Sequence, residues 1–418
     1  MNYKSPIDIV SAILDAHEIL RPVVNRTPLM KNLGLSQKYG ANVFLKREDL
    51  QVVRSFKIRG AFYKMSRLSQ DDKINGIVCA SAGNHAQGVA MACAKLEIKG
   101  IIFMPTTTPQ QKLNRVRHFG EGMVEIRLSG DTFDDSKKTA EEFALREDRS
   151  FIHPFDDSEV IAGQGTVAVE IIEDAEEPID YLVVSVGGGG LLSGTASYFK
   201  AKSPETKIIA VEAEGAASMH AAVQAGEVVK LEEIDNFADG IATKSVGKIT
   251  FEICKDLIDQ TILVPEGRMC VEILNLYNEE AIVVEPSCAS VTAALDQIRD
   301  EIHGKNVVCI MSGGNNDITR TEEIKERALL YEGQKHYFII NFPQRAGALR
   351  EFLELLGPSD DIARFEYTKK TNRGSGPALV GLELKNKEDF KPLIQRMQAA
   401  NIDFEHLNES PLLFQLLV

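Results

Sequence analysis

No stretch of the 418-residue chain approaches the ~20 consecutive apolar residues that cross a bilayer, so no membrane span is expected. Met1-Asn2-Tyr3-Lys4-Ser5-Pro6 also lacks the apolar run of a signal peptide, and the expected location is cytoplasmic. Basic charge is in short supply. Lys and Arg number 47 against 61 Asp and Glu, a formal charge of −14 that disfavours nucleic acid and anionic membranes as partners. A small anion is not disfavoured, because glycine loops and helix N-termini bind one locally. The cysteines (Cys79, Cys93, Cys254, Cys270, Cys288 and Cys309) have no Cys-x-x-Cys spacing and mostly lie in apolar runs. They read as reduced core residues, not as a zinc site or a disulfide framework. Low-complexity segments are missing too, as is any whole-chain repeat.

An apolar share of 44% with 26% charged residues is that of a soluble globular protein, and the length calls for two or three folding units. Apolar positions at helical spacing over 7–20 predict a helix closed by Pro22, and 27–30 is extended around Pro28. A strand is predicted over 42–46. From about residue 74, short β-branched runs alternate with amphipathic helices. Strands are predicted near 77–79, 100–104, 123–128 and 151–153, with helices over 84–96, 110–119 and 132–146. A second series has strands near 181–186, 208–211, 262–264 and 306–311, with helices over 160–173, 268–281 and 287–302. Such alternation predicts two open, mainly parallel α/β units. Beyond a charged helix over 322–330 the order becomes βαββαβ. Strands fall near 336–343, 362–368, 379–384 and 404–407, with helices over 348–356 and 390–399. That order is the one of an α+β ferredoxin-like module. The expected division is 1–320 with a smaller α/β unit inserted at about 50–153, a linker over 321–334, and a C-terminal domain over 335–418.

Four short stretches carry chemistry. In Ser55-Phe56-Lys57-Ile58-Arg59-Gly60 a lysine stands between an aromatic residue and a small-residue turn, before what reads as a helix from Gly60. A desolvated amine there loses its proton and becomes a nucleophile for a carbonyl cofactor. Val186-Gly187-Gly188-Gly189-Gly190-Leu191 joins a strand to a helix, and four adjacent glycines exceed what a turn needs; their N–H groups can converge on a phosphate. A Walker loop is excluded, since no Gly-Lys-Ser/Thr follows. A dinucleotide fold stays open on spacing alone, because Glu212 ends the next strand where a ribose-binding acid would sit. Ser81-Ala82-Gly83-Asn84-His85-Ala86-Gln87-Gly88 opens a helix and suits a carboxylate and a ring hydroxyl; read blandly, Ser81 or Asn84 is an N-cap and His85 a structural histidine. Ser312-Gly313-Gly314-Asn315-Asn316 follows the last core strand. Each loop alone is readily a turn. Together, at strand ends where open α/β sheets bind ligands, they point to one site.

In this order the four motifs resemble those of the threonine dehydratases (threonine ammonia-lyases), fold type II pyridoxal-phosphate enzymes, over about residues 5–320. Asn341-Phe342-Pro343-Gln344-Arg345-Ala346-Gly347-Ala348-Leu349 resembles the ACT-like regulatory domain of the biosynthetic type. The resemblance implies pyridoxal 5'-phosphate as cofactor, Lys57 as its Schiff-base lysine and α-proton base, and Phe56 beside its ring. It implies Asn84 for the ring hydroxyl, Gly187, Gly188, Gly189, Gly190 and Leu191 for the phosphate, and Ser312 for the pyridine nitrogen. Ser81, Ala82, Gly83, Asn84 and His85 would hold the substrate carboxylate. Glu212, Ala216 and Ser218 resemble a cation site of relatives, where Ser218 replaces a carboxylate and makes a monovalent ion as reasonable as a divalent one. The implied activity is deamination of L-threonine to 2-oxobutanoate and ammonia, the first step of isoleucine biosynthesis. Isoleucine is the implied effector, valine a second candidate, and a homo-oligomer, a homotetramer, the implied assembly. Serine dehydratase or serine racemase shares these motifs, a dinucleotide oxidoreductase is a further enzyme reading, and an amino-acid sensor with an inert core is the non-enzyme alternative.

Overall fold

The computed structural model describes residues 6–367 and 374–417. Its first unit runs to Asp317 and holds two sheets. The larger is assembled from both ends of the unit. Strands β1 (Leu29–Lys31), β2 (Asn42–Lys46), β7 (Tyr181–Ser185), β8 (Lys207–Ala213), β9 (Gln260–Val264) and β10 (Asn306–Ile310) lie in the order β1-β2-β10-β7-β8-β9. Only β1 runs antiparallel. All five residues of β7 are buried, as the uninterrupted Tyr-Leu-Val-Val-Ser run requires of a parallel strand covered on both faces. The smaller sheet is formed by β3 (Ile77–Ala80), β4 (Gly100–Met104), β5 (Val124–Leu128) and β6 (Ser150–Phe151), all parallel, in the order β5-β4-β3-β6.

The second unit covers Ile318–Val418. Strands β11 (Lys335–Pro343), β12 (Asp361–Tyr367), β13 (Ser375–Glu383) and β14 (Phe404–His406) form an antiparallel sheet in the order β12-β13-β11-β14, the ferredoxin-like arrangement. Phe338, Phe352, Leu382, Leu393 and Met397 form its core. The charged helix Thr321–Tyr331 belongs to this unit: Glu326 accepts from the Tyr337 hydroxyl and pairs with Lys335. Thr368, placed at the end of a strand by its sequence, lies outside the described residues.

Two elements depart from local expectation. The helix expected to begin at Gly60 begins at Lys57, because Phe56 N–H donates to Ser312 O (3.3 Å) and Ser55 bridges to Gly313, fixing the chain just ahead of it. The single helix expected over 287–302 is three pieces: Pro286–Ala293, a 3₁₀ stretch Ala294–Ile298, and Arg299–Ile302. Its middle is held by the Asp296 carboxylate, which accepts from Tyr39 Oη at 2.8 Å and Arg268 Nε at 2.7 Å. Tertiary bonds there outweigh helical propensity.

Candidate active site

The C-terminal ends of β3, β7 and β10 open on one cavity of about 290 Å³, lined by Phe56, Lys57, the 81–85 loop, Gly187 to Leu191 and Ser312. Four segments far apart in sequence thus meet at strand ends. Glu212, Ala216 and Ser218 do not line it.

Lys57 is the first residue of the helix Lys57–Ser66, and its exposed part faces the cavity. Nζ donates to Pro154 O at 3.0 Å and lies 5.2 Å from the centre of the Phe56 ring. Burial lowers this amine to about 8, with the Glu285 carboxyl pulling the other way.

The helix Asn84–Leu96 carries no side-chain cap among the described residues. Ser81 Oγ accepts from Gly83 N–H (3.2 Å), and the Asn84 amide is engaged by Glu285 and Asn315. The capping reading of both residues therefore fails, and the first N–H groups of this helix stay available at the cavity. A Cβ at Gly83 would enter open space. His85 is structural in the way read from sequence: Nε2 bonds Ile152 O at 2.9 Å, and burial, with Lys57 nearby, lowers it to about 3. Its Nδ1 has no partner among the described residues.

The helix Gly190–Lys202 likewise starts without a side-chain cap among the described residues. Gly189 has φ +92°, a conformation open to glycine, and a Cβ at Gly188 would lie 2.3 Å from the Phe155 ring. Gly188 and Gly190 press against Phe155, while a Cβ at Gly187 would meet the Ile241 backbone and one at Gly189 the Thr250 side chain. Ser312 is buried beside Ser185, whose Oγ is 3.4 Å from its own.

The cavity also contains residues that the motif reading missed. Glu285 is 6% exposed and accepts from Asn84 Nδ2 (2.8 Å) and Ser287 Oγ (2.9 Å). Burial, then Asp239, raises its carboxyl to about 7. Lys112 and Asp239 pair at 2.8 Å in the same wall. The only local sign of Glu285 was an acid before Pro286 at a helix start, a common surface pattern.

A pyridoxal-phosphate dependent enzyme family matches residues 20–313, and the C-terminal regulatory domain of threonine dehydratase matches residues 326–417. The chain is 58% identical to the biosynthetic L-threonine dehydratase IlvA of Bacillus subtilis over 98% of its length and 97% of that protein. The chain belongs to the threonine dehydratase family. The IlvA of Lactococcus lactis is 53% identical over 97% of this chain and 98% of that one. Among solved structures, the processed threonine deaminase isoform 2 of Solanum lycopersicum is 40% identical with a TM-score of 0.75, covering 79% of this chain and 90% of that one. The serine racemase of Dictyostelium discoideum is 32% identical with a TM-score of 0.68, covering 74% and 99%.

The residues at hand fit the cofactor of a threonine dehydratase. Pyridoxal phosphate needs an amine that can shed its proton, N–H groups for a dianion, and a polar partner at the ring. Lys57 could supply the first, the uncapped helix start at Gly190 the second, and Ser312 and Asn84 the third, leaving the N–H groups at the start of the Asn84 helix for a carboxylate. Away from the cavity, both oxygens of Glu212 accept backbone N–H groups, from Met219 and His220, each at 2.7 Å. Burial raises that carboxyl to about 7 against these bonds. No group of three or more His, Cys, Asp or Glu side chains able to hold a metal occurs among the described residues.

Proposed function

We propose that the protein is a pyridoxal-phosphate dependent threonine ammonia-lyase that converts L-threonine to 2-oxobutanoate and ammonia at the start of isoleucine biosynthesis. One observation carries this reading: the Lys57 amine, lowered by burial, shares a cavity with two uncapped helix N-termini. The cofactor, when bound, supplies the electron sink that makes an amino acid α-proton removable. Lys57 would anchor the cofactor, and its free Nζ would take that proton, help worth about 10²–10⁴-fold. The glycine run from Gly187 to Gly190, with Leu191, holds the phosphate by backbone N–H. The N–H groups at 81–85 hold the substrate carboxylate, and Phe56 covers one side of the ring. Ser312 offers the ring nitrogen a neutral hydroxyl, which does not enforce a charge there and so favours quick loss of the β-hydroxyl over racemisation.

Isoleucine as effector, with valine as a second candidate, and a cytoplasmic homotetramer complete the proposal; the regulatory-domain match supports an effector of some kind. A monovalent or divalent cation at Glu212, Ala216 and Ser218 is a further part of the proposal. The test is formation of 2-oxobutanoate from L-threonine, with and without isoleucine. No product from threonine with cofactor present would sink the activity, and an unchanged rate at millimolar isoleucine would sink the effector. The resemblance to a serine racemase supports a second reading. Chiral analysis of unreacted L-serine separates the two.

A further inference from the structure

Asn84 is tethered at both ends of its amide. Its Oδ1 accepts from Asn315 Nδ2 at 2.6 Å, and Asn315 is itself anchored to Val53 O at 2.9 Å. Its Nδ2 donates to Glu285 Oε1 at 2.8 Å, and the same oxygen accepts from Ser287 Oγ at 2.9 Å. An amide has two N–H donors, so one remains for the cavity that Asn84 lines. Rotating the amide by 180° would set an oxygen against the Glu285 carboxylate and an N–H₂ against that of Asn315. Both contacts are repulsive, and a buried mismatch of this kind disfavours the flipped amide.

Glu285 is an expensive group to keep here. It is nearly fully buried, the two groups that donate to it are neutral, and no ion pair to it occurs among the described residues. Leucine would fill the wall without that desolvation, so packing alone does not account for a carboxyl. The close fit is also specific, since a Cβ at Gly313 would stand 2.5 Å from Oε1.

We propose that Glu285 is a positioning residue for the cofactor: by accepting one N–H of Asn84 it locks the amide so that the other is presented to the ring hydroxyl. The inference rests on the cofactor reading above and names a residue that acts on the cofactor through Asn84. The lock needs an acceptor and is strictest for the charged form. A carboxylate only accepts, whereas a protonated carboxyl can donate to a flipped amide oxygen. Glu285 is raised to about 7 by burial and by Asp239. The charged groups bearing on it come from three other segments: Lys57 on its own helix, Lys112 on the helix Gln110–Gly120, and Asp239 on the loop over 226–247. Cys288, on the helix that Glu285 starts, stays a neutral thiol, raised by burial.

The experiment is a double-mutant cycle on the full-length chain, reading the dissociation constant of pyridoxal 5'-phosphate by equilibrium dialysis. Asn84→Ala and Glu285→Ala should each weaken binding about ten-fold, and the double variant should be no weaker than either single. Additive losses, about a hundred-fold in the double, would overturn the inference. Glu285→Gln tests the same idea without truncation and serves if Glu285→Ala does not fold. Its oxygen can keep both hydrogen bonds, so affinity should recover to within about three-fold of the parent. The visible absorbance of the bound cofactor should show a pH-dependent step near neutrality in the parent, and Glu285→Gln should lose it. Affinity as poor as that of Glu285→Ala, or an unchanged step, counts against it. If the parent chain itself fails to bind pyridoxal phosphate, the cofactor reading has failed, which the cycle reports separately.

Discussion

Lys57 has two needs that pull apart: enclosure, to shed its proton near neutral pH, and freedom to reach a ligand. It meets both by standing at the very start of a helix, with its backbone fixed and only Nζ in the cavity. Replacing Lys57 with alanine should lower turnover on threonine more than about 10³-fold, since it removes base and anchor together. The variant should still take up cofactor through the glycine run; turnover within ten-fold of the parent would contradict the assignment. Four other buried groups set the response to acid. Burial lowers His85 and His153 from 6.5 to about 3. The fold refuses protons that the unfolded chain accepts, so their contribution is full above about 6.5 and is lost as pH falls toward 3. Glu212 and Glu285 run the other way. Burial raises both from 4.5 to about 7, so the fold takes protons first and gains as pH falls through that window. At about 1.4 kcal/mol per pH unit each, the two pairs nearly cancel between 6.5 and 4.5. Below 4.5 the carboxyls no longer compensate, and groups held low, such as Glu170, add to the loss from the histidines. The urea midpoint of the first unit should therefore hold roughly level down to pH 4.5 and then drop. A steady decline from pH 6.5 would show that the carboxyls do not compensate.

The helix Lys57–Ser66 is fixed by a buried group of charges. Arg59 meets Glu48 at 2.7 and 2.9 Å and Glu170 at 2.7 and 2.9 Å, while Lys46 meets Glu170 at 2.6 Å. Two cations thus balance two anions, joining the end of β2, the lysine helix and the helix Ser158–Asp174. Burial pushes the Glu170 carboxyl up, but Arg59 and Lys46 outweigh it and leave it below its usual range. Arg59→Met leaves an excess anion without water and should cost about 3–5 kcal/mol of stability. Arg59→Lys should not rescue it, because one ammonium cannot serve two carboxylates in the planar, forked way a guanidinium does. Chemical denaturation of both variants checks this, and a loss under about 1 kcal/mol for Arg59→Lys would refute it. Little of this was legible beforehand. Arg59 read as part of a motif around Lys57, and its partner Glu170 lies 111 residues away in the chain.

For the molecule as a whole, the two units invite separation. Ending the chain after Asp317 should leave threonine turnover within a few-fold and abolish any response to isoleucine. Inhibition that survives the truncation would place the effector elsewhere. The regulatory unit was readable as βαββαβ because each of its elements shows its own local patterning, although β11 pairs with β13 and β14 far along the chain. The alternation of β-branched runs and amphipathic helices likewise announced the parallel sheets. It could not show that β2 pairs with β10, nearly the whole unit away.

By itself, the sequence determined the elements and the four motifs, because backbone propensity, apolar period and glycine content act over a few residues. It thereby named Lys57, Asn84, the glycine run and Ser312. What only tertiary structure decided is which groups face one another: Glu285 against Asn84, Arg59 between two glutamates, Asp296 breaking a helix. Those contacts arise from desolvation and hydrogen bonding between distant segments, which no local pattern encodes. Lys57 shows the division. Its motif marked it as a nucleophile, but the burial that lowers its proton affinity, and the carboxyl that limits the lowering, come from the fold.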